Sequence, residues 1–256
     1  MANYYFLATA LPPLQLNMPP DIRYPDFLNL LHDNLNKEDL AKARAIHLFY
    51  DIQNIKAFWK GQELDFRGTF DSMQLEEALV SREGLPGYVY DFLDKYDETN
   101  RLRYFPELTA QFFKHEANKT NGFLHQCFQF ERELRLVLTG FRAKQLKRDL
   151  AAELQFEDPN DDLVAQILAQ KDSSTYIPPD RYQDLQILFE EYGDNPLELY
   201  KALCEYRFYK IEEILGVDLF SIDRILGYMA QLIIVEKWHE LDQQKGLKAL
   251  NTITHF

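Results

Sequence analysis

Apolar residues recur along this chain at intervals of three and four positions, which is the spacing of an amphipathic α-helix. The pattern predicts helices over about 24–35, 38–61, 73–82, 87–96, 105–117, 121–154, 161–171, 180–192, 196–214 and 221–244. No β-hairpin signal occurs. The only extended segment expected is the apolar N-terminal stretch, which Pro12 and Pro13 interrupt. The pattern therefore predicts an all-α protein.

Turn residues separate the predicted helices. Asp161, Asp180 and Asn195 are expected N-caps, because their side-chain oxygens can accept hydrogen bonds from the free N–H groups of a first helical turn. Pro196 suits the first helical position after Asn195, and Gly193 marks the end of the preceding helix. No low-complexity linker appears between these elements. We therefore expect a single compact helical protein over 1–256.

Three of the predicted helices share one apolar spacing. The stripes are Ala45, Leu48, Ile52, Ile55 and Trp59; Cys127, Phe130, Leu134, Val137 and Phe141; and Ile225, Tyr228, Leu232, Val235 and His239. An acid, Asp51 or Glu133, precedes the central aliphatic residue in the first two, and Gln231 takes that place in the third. A cation, Lys60 or Arg142, follows the first two stripes. Either an internal repeat or three ordinary amphipathic helices explains the pattern.

Composition and charge limit the kinds of partner. The 256 residues are 46% hydrophobic and 27% charged, which is typical of a soluble globular protein. A formal net charge of −13 argues against binding to nucleic acid or to an anionic lipid surface, because both need a basic face. Cys127 and Cys204 show no metal or redox spacing, so we expect buried free thiols in a reducing compartment. No run is apolar and long enough to span a membrane.

The candidate chemistry begins with His47, Asp51 and Asn54. A carboxylate and an imidazole four residues apart on a helix could hold a proton or a metal, but a zinc site needs three or four ligands. The alternative interpretation is that Asp51 and Asn54 hydrogen-bond to a neighbouring helix at a partly buried interface. The basic run from Phe141 to Asp149 is either a solvated helix end or a docking surface.

Other motifs that would indicate catalysis do not match. The stretch "EKWHEL" contains Glu236 and His239 but lacks the second histidine of a metalloprotease helix. The acidic stretch "EDPNDD" fails the spacing of a calcium loop, and no phosphate-binding loop or nucleophile elbow occurs. We therefore predict no catalytic residue, no metal and no cofactor, and expect a non-enzyme.

Three segments carry a resemblance to a known family. They are "LFYDIQNIKAFWKGQ", "FERELRLVLTGFRAKQL" and "LGYMAQLIIVEKWHELDQQKG". They resemble the recurring helices of the C-type central-stalk subunit of prokaryotic V-type (A/V-type) ATPases, whose eukaryotic counterpart is the d-type central-stalk subunit. Some bacterial V-type ATPase operons encode a short product where the C-type subunit is expected, and this chain is similar to those products.

The resemblance assigns the motif's polar positions to particular residues of this chain. Asp51 and Asn54 match it best, and Glu133 matches the acid of the second segment. Leu136 stands where the family has asparagine, and Glu236 resembles the family's acidic helix only in composition. Together with Arg142 after the second stripe, these polar positions are expected to be structural or to face a partner.

The resemblance also implies an architecture and a role. The family is built from three similar helical subdomains in a funnel, and the resemblance implies up to three such subdomains here, over 1–100, 101–175 and 176–256. The funnel links the rotating shaft to the membrane rotor ring, so the chain would be a non-catalytic coupling subunit, cytoplasmic and peripheral to the inner membrane through the complex. A helical scaffold or adaptor for an unrelated protein is the alternative. A metal-dependent hydrolase using His47 and Asp51 is a third hypothesis.

Overall fold

The computed structural model describes the backbone of residues 4–254 and the side chains of residues 4–241. Between residues 4 and 254 the chain forms helices and no β-strand, which confirms the predicted all-α class. The expected funnel arrangement of three similar subdomains stays a prediction.

Most helices follow one another after short connections, and longer loops separate α1 from α2, α3 from α4, and α9 from the 3-10 turn that precedes α10. In chain order they are α1 (Tyr5–Ala10), α2 (Tyr24–Asn34), α3 (Lys37–Trp59), α4 (Ser72–Ser81), α5 (Gly87–Lys95), α6 (Glu98–Lys119), α7 (Gly122–Gln145), α8 (Leu150–Glu153), α9 (Asp162–Leu168), a 3-10 turn (Asp180–Tyr182), α10 (Gln183–Tyr192), α11 (Pro196–Ile214) and α12 (Ile222–Thr254). Two expected N-caps are confirmed. The side chain of Asp161 accepts from the N–H groups of Leu163 and Val164, and Asn195 accepts from the first turn of α11.

Several boundaries differ from the sequence-based prediction. The N-terminal stretch forms the short helix α1 where an extended segment was expected. The long helix predicted over 121–154 is two helices, because Lys147 has φ +52° and ends α7. Asp180 begins the 3-10 turn, and Pro179 occupies the cap position that Asp180 was expected to take. Helix α6 starts at Glu98, well before the predicted residue 105, with Asp97 as its N-cap.

The chain divides into two compact units. The first comprises residues 1–42 and 188–256, and the second comprises residues 43–187. The predicted subdomains 1–100, 101–175 and 176–256 have other boundaries than these units, and they stay a prediction.

The second unit is built around α6 and α7, which pack closely along their length. The ring of Phe112 lies 5.5 Å from Phe49 of α3 and 5.5 Å from Phe128 of α7. Tilted and edge-on aromatic pairs of this kind add to the stabilisation from buried area. The abundant phenylalanines therefore form a core in which α3, α6 and α7 meet.

The first unit is organised around α12, against which α1, α2 and α11 pack. A Cβ added at Gly227 would lie 2.5 Å from a methyl carbon of Leu215, so this position of α12 has room only for glycine. The rings of Phe27 and Tyr228 lie 5.3 Å apart where α2 meets α12. The backbone N–H of Tyr4 donates to the carbonyl of Phe220 at 2.9 Å, which fixes the start of α1.

Candidate functional site

Asp51 lies in the middle of α3, with only 2% of its surface exposed. Its Oδ1 accepts a hydrogen bond from the backbone N–H of Thr69 at 2.6 Å, and a longer one from Phe70 at 3.4 Å. Both donors belong to the loop of residues 65–70, "DFRGTF", which we call the 65–70 loop. The partner of Asp51 is thus a loop that follows its own helix, and not the neighbouring helix that was expected.

Asn54 binds the same loop one helical turn further along α3. Its Nδ2 donates to the carbonyl of Asp65 at 2.8 Å, and its Oδ1 accepts from the N–H of Asp65 at 2.8 Å. A Cβ added at Gly68 would lie 2.5 Å from Nδ2 of Asn54 and 2.7 Å from Oδ1 of Asp51. The loop backbone therefore sits directly on the two polar side chains, at a distance that only glycine permits.

His47 completes this set from the preceding turn of α3. Its Nδ1 lies 2.8 Å from the carbonyl oxygen of Arg67. A carbonyl can only accept, so Nδ1 carries the proton. Burial lowers the pKa of His47, although the bond to Arg67 and the nearby carboxylate of Asp51 oppose that shift. Burial likewise raises the pKa of Asp51, against the opposing effect of its bonds from Thr69.

The contacts of His47, Asp51 and Asn54 are hydrogen bonds to a loop, in place of the neighbouring helix that was expected for Asp51 and Asn54. Each side chain is engaged with the backbone of the 65–70 loop, at Arg67, Thr69 and Asp65. Among the side chains that the structure describes, no three histidine, cysteine, aspartate or glutamate residues are placed to hold a metal ion. The arrangement therefore positions the 65–70 loop on α3.

Glu133 occupies the corresponding position in α7 and is also buried. The hydroxyl of Tyr182 donates to its Oε2 at 2.6 Å, and the guanidinium of Arg181 lies 3.1 Å from the same oxygen. Both partners belong to the 3-10 turn that precedes α10. Charge-assisted hydrogen bonds of this kind are stronger than neutral ones, so Glu133 anchors that turn to the middle of α7.

Glu236 lies in the first unit, on α12, and is 5% exposed. Its Oε1 accepts a hydrogen bond from the backbone N–H of Tyr24 at 2.8 Å. Tyr24 is the first residue of α2, and Arg23 at the N-cap contributes no capping side chain. A carboxylate from another helix therefore supplies the acceptor that the start of α2 needs, where the helix dipole also favours negative charge.

The repeated position carries a buried polar residue in all three helices. Asp51 is 2% exposed, Glu133 is 9% exposed and Gln231 is 7% exposed. Each precedes a fully buried aliphatic residue, as the sequence pattern indicated. The acids accept hydrogen bonds, whereas Nε2 of Gln231 donates to the carbonyl of Phe208 in α11 at 3.2 Å. In each case the polar residue binds a segment outside its own helix.

Arg142 differs from the other motif residues because its side chain is exposed. It lies in the last turn of α7, where a positive charge complements the helix dipole. Within the same basic run, Nζ of Lys144 donates to the carbonyl oxygens of Lys171 and Ser173, both at 2.7 Å. Lys144 therefore holds the loop around residues 171–173, while Lys147 and Arg148 are exposed at the surface.

The motif residues bind different segments of the chain. Asp51 and Asn54 hold the 65–70 loop, Glu133 holds the 3-10 turn, and Glu236 caps α2 in the other unit. Arg142 lies at the surface of α7. The motif thus marks points where long helices bind distant segments of the chain.

The 65–70 loop, which binds the polar side chains of α3, was not predicted from the sequence. Arg67 is only 1% exposed, and its guanidinium lies 3.1 Å from the carboxylate of Asp65 and 4.5 Å from the ring of Phe66. Burial of an arginine is unusual unless it is paired. The available signal was the turn-forming combination of Asp65 and Gly68 directly after α3, but such residues also occur in ordinary exposed loops.

Comparison with known proteins identifies the family. A family model described as "Protein of unknown function (DUF2764)" matches residues 1–255. The chain belongs to this family. An uncharacterized protein of Chlamydia muridarum (strain MoPn / Nigg) is 31% identical over 258 aligned positions, covering 98% of this chain and 97% of the relative. Uncharacterized proteins of Chlamydia trachomatis serovar D and Chlamydia pneumoniae are 30% and 31% identical, covering 98% and 99% of this chain and 97% and 98% of the respective relatives.

These comparisons indicate no catalytic family. No solved structure matches the chain significantly. Within the described part of the chain, no helix combines the length and the apolar character that crossing a membrane requires.

Proposed function

We propose that this chain is a non-catalytic coupling subunit of the central stalk of a rotary V-type ATPase. It would link the rotating shaft to the membrane rotor ring and would lie on the cytoplasmic side, peripheral to the membrane. The observation that carries the proposal is the shared position of Asp51, Glu133 and Gln231, which is buried and polar in all three helices that resemble the C-type central-stalk subunit.

The mechanical demands of that role fit the contacts of the motif. A part that transmits torque must resist bending, and close packing of helices around aromatic rings provides stiffness. Asp51 and Glu133 accept buried hydrogen bonds from distant segments of the chain, and these bonds fix those segments to α3 and α7. These contacts support a rigid coupling part.

The negative net charge of the chain supports a basic protein partner. The formal net charge of −13 would steer the chain toward basic protein surfaces, such as the tip of a shaft or the polar loops of a ring. Attraction of this kind raises the rate of association and weakens as salt increases. We therefore expect the association with the rotor to be faster at low ionic strength.

The test is a deletion of the gene in its own host, combined with purification of the V-type ATPase. A tagged copy of the chain should co-purify with shaft and ring subunits. Without the chain, ATP hydrolysis by the soluble sector should persist while ATP-driven ion pumping is lost, and re-expression should restore pumping. If the rotor assembles and pumps fully without the chain and never binds it, the proposal is wrong.

The adaptor alternative gives a different result in the same experiment. A helical scaffold would co-purify with an unrelated protein and not with ATPase subunits, and its deletion would leave ion pumping unchanged. The observation that favours keeping this alternative is an exposed groove between α4 and α6.

A further inference from the structure

A cleft with a volume of about 810 Å³ opens within the second unit, where α6, α7 and the connection between α8 and α9 meet. The buried side chain of Phe113 and the half-buried side chain of Phe156 form part of its lining. Most of the other lining side chains are polar. Clefts that hold small molecules have volumes of about 300–1,000 Å³, and a polar lining favours a ligand that is itself polar.

A group of ion pairs at the cleft is neutral as a whole. The guanidinium of Arg132 lies 2.9 Å from the carboxylate of Asp161 and 3.3 Å from the carboxylate of Glu157. Glu157 also binds the guanidinium of Arg135. Two positive charges therefore meet two negative charges, so these residues exert little net force on an ion that enters the cleft.

Two further charges line the cleft, one of each sign. Lys114 of α6 is exposed, and no carboxylate in the described part of the chain pairs with its ammonium group. Asp158 lies on the connection between α8 and α9. Its Oδ1 accepts from the backbone and side-chain nitrogens of Asn160 at 2.9 and 3.1 Å, and no cation among the described side chains pairs with it. The cleft thus offers one positive and one negative charge on different walls.

Uncharged polar groups accompany Lys114 on its wall. Gln111 precedes it by three positions and Asn118 follows it by four, so the three side chains share one face of α6. The amides of Gln111 and Asn118 have no partner among the described residues. On α7, Nδ1 of His125 donates to the carbonyl of Ala117 at 2.8 Å, which leaves Nε2 as an acceptor. Peptide groups match this set, because each of them both donates and accepts a hydrogen bond.

We propose that this cleft binds a short peptide with free termini. The terminal carboxylate would pair with Lys114, the terminal ammonium group with Asp158, and the peptide groups with the amides beside Lys114. Capture of a free terminus is a recurring mode of peptide recognition. A ligand of one sign would be attracted by one of the two charges and repelled by the other, whereas a zwitterion satisfies both. The inference does not depend on the proposed V-type ATPase role, because only residues of the cleft carry it.

Trialanine with free termini is the direct probe, and N-acetyl-trialanine and trialanine amide are twins that each lack one terminal charge. Each peptide would be titrated into the ¹⁵N-labelled full chain at about pH 7, where both free termini are charged, and at low ionic strength. Free trialanine should shift the amide signals of residues 111–118 and 155–161, which line the cleft. Each capped twin should bind about two- to fivefold more weakly, which is the effect of one exposed ion pair.

Two substitutions assign each peptide terminus to its partner. Lys114→Gln should weaken binding of free trialanine about two- to fivefold and remove its advantage over trialanine amide, while its advantage over N-acetyl-trialanine remains. Asp158→Asn should give the reverse pattern. Lys119→Gln is the matched control, because it makes the same charge change on α6 at a residue outside the cleft lining, and it should leave all three affinities unchanged. Circular dichroism and thermal melting check that the variants fold.

Several outcomes would overturn the proposal. They are no binding of free trialanine, equal binding of the free and capped peptides, and signal shifts that lie outside the cleft lining. A Lys114→Gln variant that weakens all three peptides by the same factor would also contradict it, since the lysine would then act without regard to the terminal carboxylate. Alanine carries both charges but no peptide group, so affinity equal to that of trialanine would show that the cleft binds a free amino acid instead.

Discussion

Oδ1 of Asp51 lies 2.6 Å from the backbone nitrogen of Thr69, 18 residues later in the chain. The carboxylate is nearly inaccessible to water, so no solvent molecule can replace this bond without a rearrangement. Thr69 lies in a loop, where helix and sheet partners for a backbone N–H group are absent. The side chain of Asp51 thus accepts a hydrogen bond from a backbone N–H group, as backbone carbonyls do inside a helix.

Replacing Asp51 by alanine should lower the free energy of unfolding by about 1–3 kcal/mol, because the N–H of Thr69 would lose its buried acceptor. Asp51→Asn should cost less, since it keeps an acceptor oxygen and removes a charge that burial disfavours. Urea denaturation at neutral pH measures both. An Asp51→Ala protein as stable as the parent but defective in an assembled complex would show that the residue serves a partner instead.

Gly68→Ala should destabilise the protein by about 1–3 kcal/mol, because its Cβ would lie 2.5 Å from Nδ2 of Asn54 and 2.7 Å from Oδ1 of Asp51. Gly87→Ala is the matched control, since a Cβ added at Gly87 meets no atom within 4 Å. The two melting temperatures, compared by calorimetry, report the difference. Similar losses in both variants would contradict the close approach of the loop to α3.

His47 should make the protein less stable as the pH falls. Burial lowers the pKa of His47 in the folded chain, so below the unfolded value of 6.5 the unfolded chain takes up a proton that the folded chain refuses. This contribution to stability is present above pH 6.5 and is lost as the pH falls through the folded pKa. Asp51 acts in the opposite sense, since its raised pKa makes the folded chain bind a proton more readily than the unfolded chain, in the acid range above 3.8.

The His47→Asn variant tests this dependence, because its amide can still donate to the carbonyl of Arg67. Free energies of unfolding measured at intervals from about pH 7.5 to 5.5 should fall less steeply for the variant than for the parent. Groups that the substitution leaves unchanged contribute equally to both curves and cancel in the comparison. Parallel curves would mean that His47 has the same pKa in the folded and unfolded chains.

Glu236→Ala should lower the free energy of unfolding by about 1 kcal/mol, because the N–H of Tyr24 at the start of α2 would lose its acceptor. Glu236→Gln should retain most of the stability, since an amide oxygen can accept the same bond. Hydrogen exchange offers a local measurement, in which the Tyr24 amide exchanges faster in the alanine variant. Unchanged exchange at Tyr24 would show that water or another group caps α2.

Much of the helical framework could be predicted from local pattern. The spacing of apolar residues located α3, α7 and α12, because burial against neighbours selects one face of a helix. Most of the predicted stripe is buried in α7 and α12, whereas in α3 only Ile52 and Ile55 of the five stripe residues are buried. The prediction failed where local conformation overrides that pattern. The left-handed conformation of Lys147 divides the helix predicted over 121–154, and no sequence signal marks a lysine for φ +52°.

The sequence by itself also singled out Asp51, Asn54, Glu133 and Glu236, since polar residues beside an apolar stripe stand out from the period of a helix. Tertiary structure alone decided what they do. The residue that each one binds lies between 11 and 212 positions away, and a local pattern contains no information about which loop returns to which helix. Thr69 and Tyr24 contribute only their backbone N–H groups, which almost every residue type has. Only the folded chain therefore shows that they pair with Asp51 and Glu236.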